Sequence, residues 1–368
     1  MDYFKNLLKN IDKILLFLPV CFAVISIIMV GSTSYEGQFI ITKDITVQFA
    51  AYCLGTVALC IILLFNYKTF ESMEKLIYAA SLLFLLTVYI PGLGAEHFGA
   101  RAWVDLGPVD MQPSELVKIS FVLVFASYLT RNRGNLYTLK GIGLAGLYAA
   151  PFVLIILKED LGTAIVLCFM IVMMVFSAGV DYKLFAKLGG VFIISMPILY
   201  RFMASHQKER IDAFLHPDVM SLPGNYQVWN SKVAIGSGGI FGKGLFEGTQ
   251  KELKFLPVQK SDFIFSVIAE ELGLIGSAVV ILIYTVFLFR MLKIADNAKD
   301  MYGSLIVIGI LSMFCFQIFE NIAMAMGIMP VTGITLPFIS YGGSSVVANM
   351  VALGIVLNVG IRSKIINF

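Results

Sequence analysis

Long apolar runs separated by short polar segments dominate the sequence. A helix that crosses a membrane needs about 20 consecutive, mainly apolar residues, and ten segments come close to that length. They are residues 14–32, 46–65, 76–93, 115–130, 141–157, 161–180, 188–203, 263–289, 303–327 and 345–361. The pattern predicts an all-α integral membrane protein with ten transmembrane helices.

The composition supports a membrane protein. Of 368 residues, 58% are hydrophobic and 14% are charged, whereas soluble domains have about 45–50% and about 25%. We find no internal repeat and no low-complexity linker, so residues 1–368 are predicted to form a single membrane domain. A net charge of +3 gives no support to a nucleic-acid partner.

The distribution of lysine and arginine predicts the orientation. With the N-terminus inside, the inner segments hold fifteen of these residues and the short outer loops hold three, as the positive-inside rule requires. Both termini are therefore predicted to be cytoplasmic. Residues 204–262 then form one long extracytoplasmic loop between spans 7 and 8 of a multi-pass protein in a bacterial cytoplasmic membrane.

Ionisable side chains gather in the outer halves of the spans. Glu115 and Lys118 lie one helical turn apart at the start of span 4, Asp160 opens span 6, and Asp262 opens span 8. A charge at the end of a helix can simply reach the membrane surface, and that interpretation stays open for each residue alone. Their common depth predicts a polar cavity that opens to the outer leaflet.

Two outer segments are irregular. The loop 236–250 contains six glycines and Lys243, so it is either a flexible turn or a place where backbone N–H groups approach an anion. It matches neither the Walker A nor the GxGxxG pattern. In segment 328–345, Pro330 and Pro337 forbid a continuous helix. Such backbone at membrane depth is tolerated where it is buried in protein or lines a wet cavity.

Five motifs resemble a known family. They are RAWVDLGPVDMQPSELVK, DLGTA, AIGSGGIFGKGLFEGTQ, FLPVQKSDFIFSVIAEELGLIG and PVTGITLPFISYGGSS, in this order. Together they resemble the SEDS family (shape, elongation, division and sporulation), and RodA more than FtsW, over essentially the whole chain. One departure is Glu159, which stands where proline is usual before DLGTA, so the start of span 6 is expected to be less rigid.

The resemblance implies a function and partners. Members of the family are ten-span peptidoglycan glycosyltransferases, which polymerise lipid II outside the cytoplasmic membrane and work with a class B penicillin-binding protein. Lipid II is a disaccharide peptide linked to undecaprenyl diphosphate, so the expected partners are lipid II, this penicillin-binding protein and membrane lipid. The essential aspartate of the family falls on Asp262, and the Glu and Lys of its QPSE segment fall on Glu115 and Lys118.

The residues suit this chemistry. Joining a sugar hydroxyl to an anomeric carbon needs a general base, and a leaving diphosphate needs cations. We predict Asp262 as the catalytic base and, as cavity or substrate-binding residues, Arg101, Glu115, Lys118, Asp160, Arg210, Lys243, Ser340, Gly342 and Gly343. A divalent cation, Mg²⁺ or Mn²⁺, bridging Asp262 and the diphosphate stays open.

Other interpretations remain at this point. A lipid II flippase would also have polar groups inside the bundle, although transporters commonly have internal repeats and broken helices, and we find neither in the sequence. A non-catalytic scaffold, or a glycosyltransferase of the division or sporulation type, is also open. Asp262 itself could be a helix N-cap that satisfies free backbone N–H groups.

Overall fold

The computed structural model describes residues 10–35, 41–97, 100–105, 107, 110–180, 186–187, 189–190, 200–201, 203, 205–222, 224–253, 255–256 and 258–363. The helices in this part are α1 Lys13–Thr33, α2 Lys43–Leu64, α3 Tyr67–Ser72, α4 Glu74–Leu86, α5 Pro113–Arg131, α6 Leu139–Glu159, α7 Leu161–Ser177, α8 Ser205–Leu215, α9 Asn225–Gly238, α10 Thr249–Glu252, α11 Ile264–Asp296, α12 Met301–Ala325 and α13 Gly343–Ser363. The strands are β1 Gly94–His97, β2 Ala100–Asp105 and β3 Asp110–Met111.

Seven helices in the described part are long and apolar enough to cross a membrane, namely α1, α2, α5, α6, α11, α12 and α13. The predicted spans 76–93 and 161–180 correspond to the shorter helices α4 and α7. The predicted span 188–203 lies almost entirely outside the described residues. A multi-pass membrane fold is therefore confirmed, whereas the count of ten spans and the predicted topology of the loops stay predictions.

A small sheet follows α4, and the sequence analysis did not predict it. β2 pairs antiparallel with both β1 and β3, so that Val104 lies opposite Gly94 on one side and Met111 on the other. The all-α assignment is wrong for these strands. They have only four, six and two residues, which is too short for the alternation of polar and apolar positions to stand out.

The helices divide into an inner and an outer set. In the apolar segments of α5 and α13, 78% of the residues are buried within the protein, against 28% in the apolar segments of α2 and α6. Small residues let the helices approach closely: a Cβ added to Gly309 of α12 would lie 2.7 Å from Val122 of α5. A Cβ added to Gly354 of α13 would lie 3.2 Å from Leu59 of α2. In the outer set, several large apolar side chains, among them Phe49, Leu54, Leu147 and Leu154, are exposed and face the lipid.

α11 is broken at Gly273, whose φ of 66° and ψ of −163° are not helical. Beyond the break, the N–H of Leu274 donates to the carbonyl of Gly239, with 2.9 Å between the atoms. The loop after α9 thus satisfies backbone groups that the break releases. The expectation that the sequence contains no broken helix is wrong here, because a single glycine in an apolar run does not reveal such a partner.

Candidate functional site

Asp262 ends a tight turn that leads into α11. The N–H groups of Ser261 and Asp262 both donate to the carbonyl of Val258, at 3.2 Å. Val258 has a φ of 59°, which a β-branched residue rarely adopts and which costs about 1–3 kcal/mol. Strain of this kind persists where the surroundings enforce it, and it clusters at functional sites.

The side chain of Asp262 does not cap α11. Phe263 occupies the N-cap position and makes no side-chain cap hydrogen bond. The charged form of Asp262 is stabilised by the hydroxyl of Ser261 rather than by the free N–H groups of the helix. The N-cap interpretation of Asp262 is therefore wrong, and its half-buried carboxylate is available for chemistry.

Two side chains from other segments hold the turn of Asp262 in place. Asn321, near the end of α12, donates through Nδ2 to the carbonyls of Asp262 and Ile334, both at 2.8 Å. The hydroxyl of Ser340 donates to the carbonyl of Ser261. The predicted residue Ser340 therefore lies against the turn, and Asn321, which was not among the predicted site residues, joins that turn to α12.

Gly342 and Gly343 lie where this irregular segment meets α13. The N–H of Gly342 donates to Oε1 of Gln48 on α2 at 3.1 Å, and its carbonyl accepts from the N–H of Val346 at 3.0 Å. Gly343 is the first residue of α13. These contacts explain how the junction is held, and a contact with substrate stays a prediction.

Arg210 reaches the site from α8. Its Nη1 donates to the carbonyl of Thr332 at 2.8 Å, and the hydroxyl of Thr332 donates to Oε1 of Glu320 at 2.9 Å. The sequence analysis selected neither Thr332 nor Glu320 for the site. Glu320 could have been found as a carboxylate inside an apolar helix, whereas Thr332 has no such signal.

Burial and neighbouring charges set the protonation of Asp262. Removal from water raises the pKa of its carboxyl above the ordinary aspartate value, because burial penalises the charged form. The Ser261 hydroxyl and the Arg210 guanidinium lower this pKa, and the negative charge of Asp160 raises it. The net shift is upward, toward the range in which a carboxylate acts as a general base.

Asp160 is close enough to influence Asp262, but its own side chain is committed to α7. Its Oδ1 accepts from the N–H of Thr163 at 3.1 Å, which makes Asp160 the N-cap. Its Oδ2 accepts from the Thr163 hydroxyl at 2.6 Å and from Nε2 of Gln112 at 2.9 Å. Asp160 therefore acts on Asp262 through its charge.

Glu115 and Lys118 form a buried ion pair on α5. Nζ of Lys118 lies 2.8 Å from Oε1 of Glu115, and the side chains are 1% and 9% exposed. Across α5, α12 and α13, several buried polar atoms have no hydrogen-bond partner among the described residues: Ser114 Oγ, Glu115 Oε2, Tyr302 OH, Gln317 Oε1, Glu320 Oε2, Asn321 Oδ1 and Asn349 Oδ1. Unpaired buried polar atoms are costly, and in a native protein each of them has a cause such as strain, a catalytic role or a bound water or ion. That the pair and Asp262 share one cavity stays a prediction.

In the glycine-rich loop 236–250, the N–H groups next to Lys243 bind within the protein. The N–H groups of Lys243 and Gly244 donate to the carbonyls of Glu270 and Glu271, at 3.0 and 3.1 Å. Nζ of Lys243 forms an ion pair with Oε1 of Glu270 at 2.7 Å. The loop therefore braces the break in α11, and the charge of Lys243 is compensated by Glu270.

A second ion pair beside Glu270 is fully buried. Nζ of Lys251 lies 2.7 Å from Oε1 of Glu271, and the two side chains are 1% and 0% exposed. Lys251 also donates to the hydroxyl of Ser32 on α1 at 2.8 Å. α1, α10 and α11 are thus joined at one point, next to the break in α11 at Gly273.

Two predictions have no side-chain geometry to support them. Arg101 lies on β2, with its side chain outside the described part of the structure. Within the described residues, no group of three or more His, Cys, Asp or Glu side chains could hold a metal ion. A cation at Asp262 would therefore need oxygen atoms from the substrate, and it stays a prediction.

The chain matches known proteins along almost its whole length. The FtsW, RodA and SpoVE family, described as cell cycle proteins, matches residues 10–365. Stage V sporulation protein E of Bacillus subtilis is 34% identical over 362 residues, covering 96% of this chain and 98% of that protein. Peptidoglycan glycosyltransferase MrdB of Escherichia coli K12 is 32% identical over 360 residues, covering 97% and 95%.

Solved structures share the fold. One chain, described under "Structural coordination of polymerization and crosslinking by a peptidoglycan synthase complex", has a TM-score of 0.79 and 29% identity over 96% of this chain and 98% of that chain. The rod shape determining protein RodA of Thermus thermophilus has a TM-score of 0.71 and 28% identity over 96% and 98%. With its apolar helices and this match from end to end, the chain is a multi-pass protein of the bacterial cytoplasmic membrane and belongs to the SEDS family of FtsW, RodA and SpoVE, a family of peptidoglycan glycosyltransferases.

Proposed function

We propose that this protein polymerises lipid II into glycan strands on the outer face of the cytoplasmic membrane, with Asp262 as the catalytic base. One observation carries the proposal. Asp262 has no capping role, lies on a strained turn that Asn321 and Ser340 hold in place, and has the Arg210 charge nearby. A carboxylate that is positioned this firmly, yet not used by its own helix, suits a catalytic task.

The proposed reaction is a displacement with inversion. Asp262 accepts the proton of the 4-hydroxyl of the acceptor sugar while that oxygen attacks the anomeric carbon of the donor. The new carbon–oxygen bond forms as the bond from the anomeric carbon to the lipid diphosphate breaks, and the diphosphate leaves with the electron pair. General-base catalysis of this kind contributes about 10²–10⁴-fold.

The charges of the site suit the leaving group. Positive charge next to a departing diphosphate stabilises the transition state, and an arginine can bind phosphate oxygens in a bidentate manner. Arg210 lies near Asp262, and Lys118 is proposed to face the same cavity within its pair with Glu115. The lipid tails remain in the bilayer and reach the site between helices, which is why this chemistry belongs in a membrane protein.

We also propose a role in cell elongation and shape, together with a class B penicillin-binding protein that cross-links the glycan. The similarity to RodA, a protein named for rod shape, and to a chain of a peptidoglycan synthase complex supports both parts. The identity of 34% with a sporulation protein favours the alternative of a sporulation role, and a division role is the other alternative.

The test is lipid II polymerisation by the purified protein in lipid vesicles. We expect glycan polymer from the wild type, and a loss of about two orders of magnitude or more in Asp262→Asn at near-normal expression and thermal stability. Asp296→Asn, at the other end of α11, is the matched control and should retain activity. If Asp262→Asn polymerises at the normal rate, the base is another residue.

The break in α11 favours one alternative, a lipid II flippase, because discontinuous helices are common in transporters. In this chain the break is bound by backbone hydrogen bonds and two ion pairs, which favours a fixed structure. The same vesicles decide the question. Lipid II that moves to the other leaflet without forming polymer would identify a flippase, and neither result, even with the penicillin-binding protein added, would indicate a scaffold.

A further inference from the structure

Most described cations around the site are compensated by a carboxylate. These pairs are Lys118 with Glu115, Lys243 with Glu270, Lys251 with Glu271 and Lys260 with Asp44. Arg210 and Lys232 differ, because neither forms an ion pair within the described part of the chain. The protein hydrogen bond of the Arg210 guanidinium goes to a neutral carbonyl, that of Thr332. Arg210 and Lys232 are therefore two positive charges that no carboxylate of the described residues compensates.

Arg210 and Lys232 line the same cavity, which holds about 350 Å³ including space open to solvent. It lies between α8, α9 and residues 327–331. The rest of its wall is mainly apolar and includes Ala213, Phe214, Pro217, Val228, Met329, Pro330 and Val331. None of the described residues that line it is a carboxylate, so the cavity combines a cationic pair with an apolar wall.

The end of the Lys232 side chain lies against Gly327. A Cβ added to Gly327 would lie 2.2 Å from Cε and 2.6 Å from Nζ of Lys232. The stem of the lysine therefore crosses directly over the glycine, whose φ of 72° places it in a turn. A side chain at position 327 would push the ammonium away, so the absence of one leaves the charge at the cavity wall.

We propose that this cavity binds the prenyl diphosphate head of the lipid-linked sugar, a role that rests on the proposed function. Arginine and lysine bind phosphate oxygens through charge-assisted hydrogen bonds, and the apolar wall suits the first isoprene units. Arg210 connects the cavity to the surroundings of Asp262, since its charge acts on that carboxyl. A diphosphate in the cavity would thus lie near the base, as a displacement of this leaving group requires.

The test is binding of farnesyl diphosphate, a soluble prenyl diphosphate, to the full-length protein in nanodiscs of neutral lipid, measured by calorimetry. We expect Lys232→Gln and Arg210→Gln each to weaken binding about tenfold or more, because each removes charged hydrogen bonds. Lys232→Arg should keep most of the affinity. The control is Lys208→Gln, a cation on the same helix as Arg210 whose Nζ binds the carbonyl of Arg201, and its affinity should match the wild type.

Two results would overturn the proposal. One is equal affinity of Lys232→Gln and Lys208→Gln. Lys232 is exposed, so its replacement is expected to leave the fold intact, and this variant decides the point alone. The other is binding of inorganic phosphate as tight as that of farnesyl diphosphate, which would show that the cavity does not recognise the prenyl chain. If the variants at Lys232 and Arg210 bind farnesyl diphosphate more weakly than the control but the protein does not polymerise lipid II, the binding site is confirmed and the proposed function is refuted. If polymerisation depends on Asp262 but the variants at Lys232 and Arg210 bind farnesyl diphosphate as well as the control, the proposed function is supported and the binding site is refuted.

Discussion

The pKa of Asp262 depends on the negative charge of Asp160 and on the positive charge of Arg210. Substituting either residue is therefore expected to change the pH dependence of activity. A base must be ionised, so activity is expected to rise with pH through the raised pKa of Asp262. Asp160 raises that pKa, so Asp160→Asn should move the acidic limb of the profile to lower pH. Arg210 lowers it, so Arg210→Gln should move the limb to higher pH. The measurement is the rate of lipid II polymerisation between about pH 4 and pH 9.

Asp160→Asn and Arg210→Gln serve as controls for each other, because they should shift the acidic limb in opposite directions. Asparagine caps a helix about as well as aspartate, so Asp160→Asn should keep the start of α7 intact and change mainly the charge. Shifts in the same direction, or an unchanged limb in both variants, would show that Asp262 does not limit the rate at low pH.

At the scale of helices and loops, the buried charges of Lys251 and Glu271 are expected to depend strongly on each other. Removing one partner leaves a buried charge uncompensated, which costs about 3–5 kcal/mol, so Lys251→Met should lower the thermal stability clearly. Combining it with Glu271→Gln should restore much of the loss, because both charges are then gone. Thermal unfolding of the single and double variants measures this coupling.

The matched control is an exposed pair. Nζ of Lys68 lies 2.9 Å from Asp300, but its side chain is 52% exposed, and such pairs contribute about 0–1 kcal/mol. Lys68→Met should therefore change the stability little. Equal losses at the two sites would mean that burial does not decide the strength of these pairs.

At the scale of the whole molecule, the orientation in the membrane can be tested directly. The positive-inside rule places residues 204–262 outside and the segment after α5 inside. In a variant without its natural cysteines, Lys208→Cys should react with a membrane-impermeant maleimide on intact cells, whereas Arg133→Cys should react only after lysis. The opposite pattern would invert the orientation and place Asp262 in the cytoplasm.

Several features of the site could not be predicted because their partners are distant in the sequence. Ser32 meets the Lys251–Glu271 pair across 219 and 239 residues. The sequence identified Asp262 as an unusual carboxylate, but it could not show that Phe263 takes the cap position. Lys243 was predicted to bind an anion because nothing in its own loop indicated Glu270. Lys232 was missed because a lone lysine carries no signal until the fold places it beside Arg210.

The sequence by itself determined that the chain is a membrane protein and which family it resembles, and it predicted that the polar groups gather at one depth. These properties are local, because each apolar run crosses lipid by satisfying its own backbone hydrogen bonds. Only the tertiary structure decided where α11 breaks, which cations are neutralised and which charges act on Asp262. Those outcomes depend on contacts between distant segments, since the energy of a buried charge or an unpaired backbone group is set by the neighbours that packing supplies.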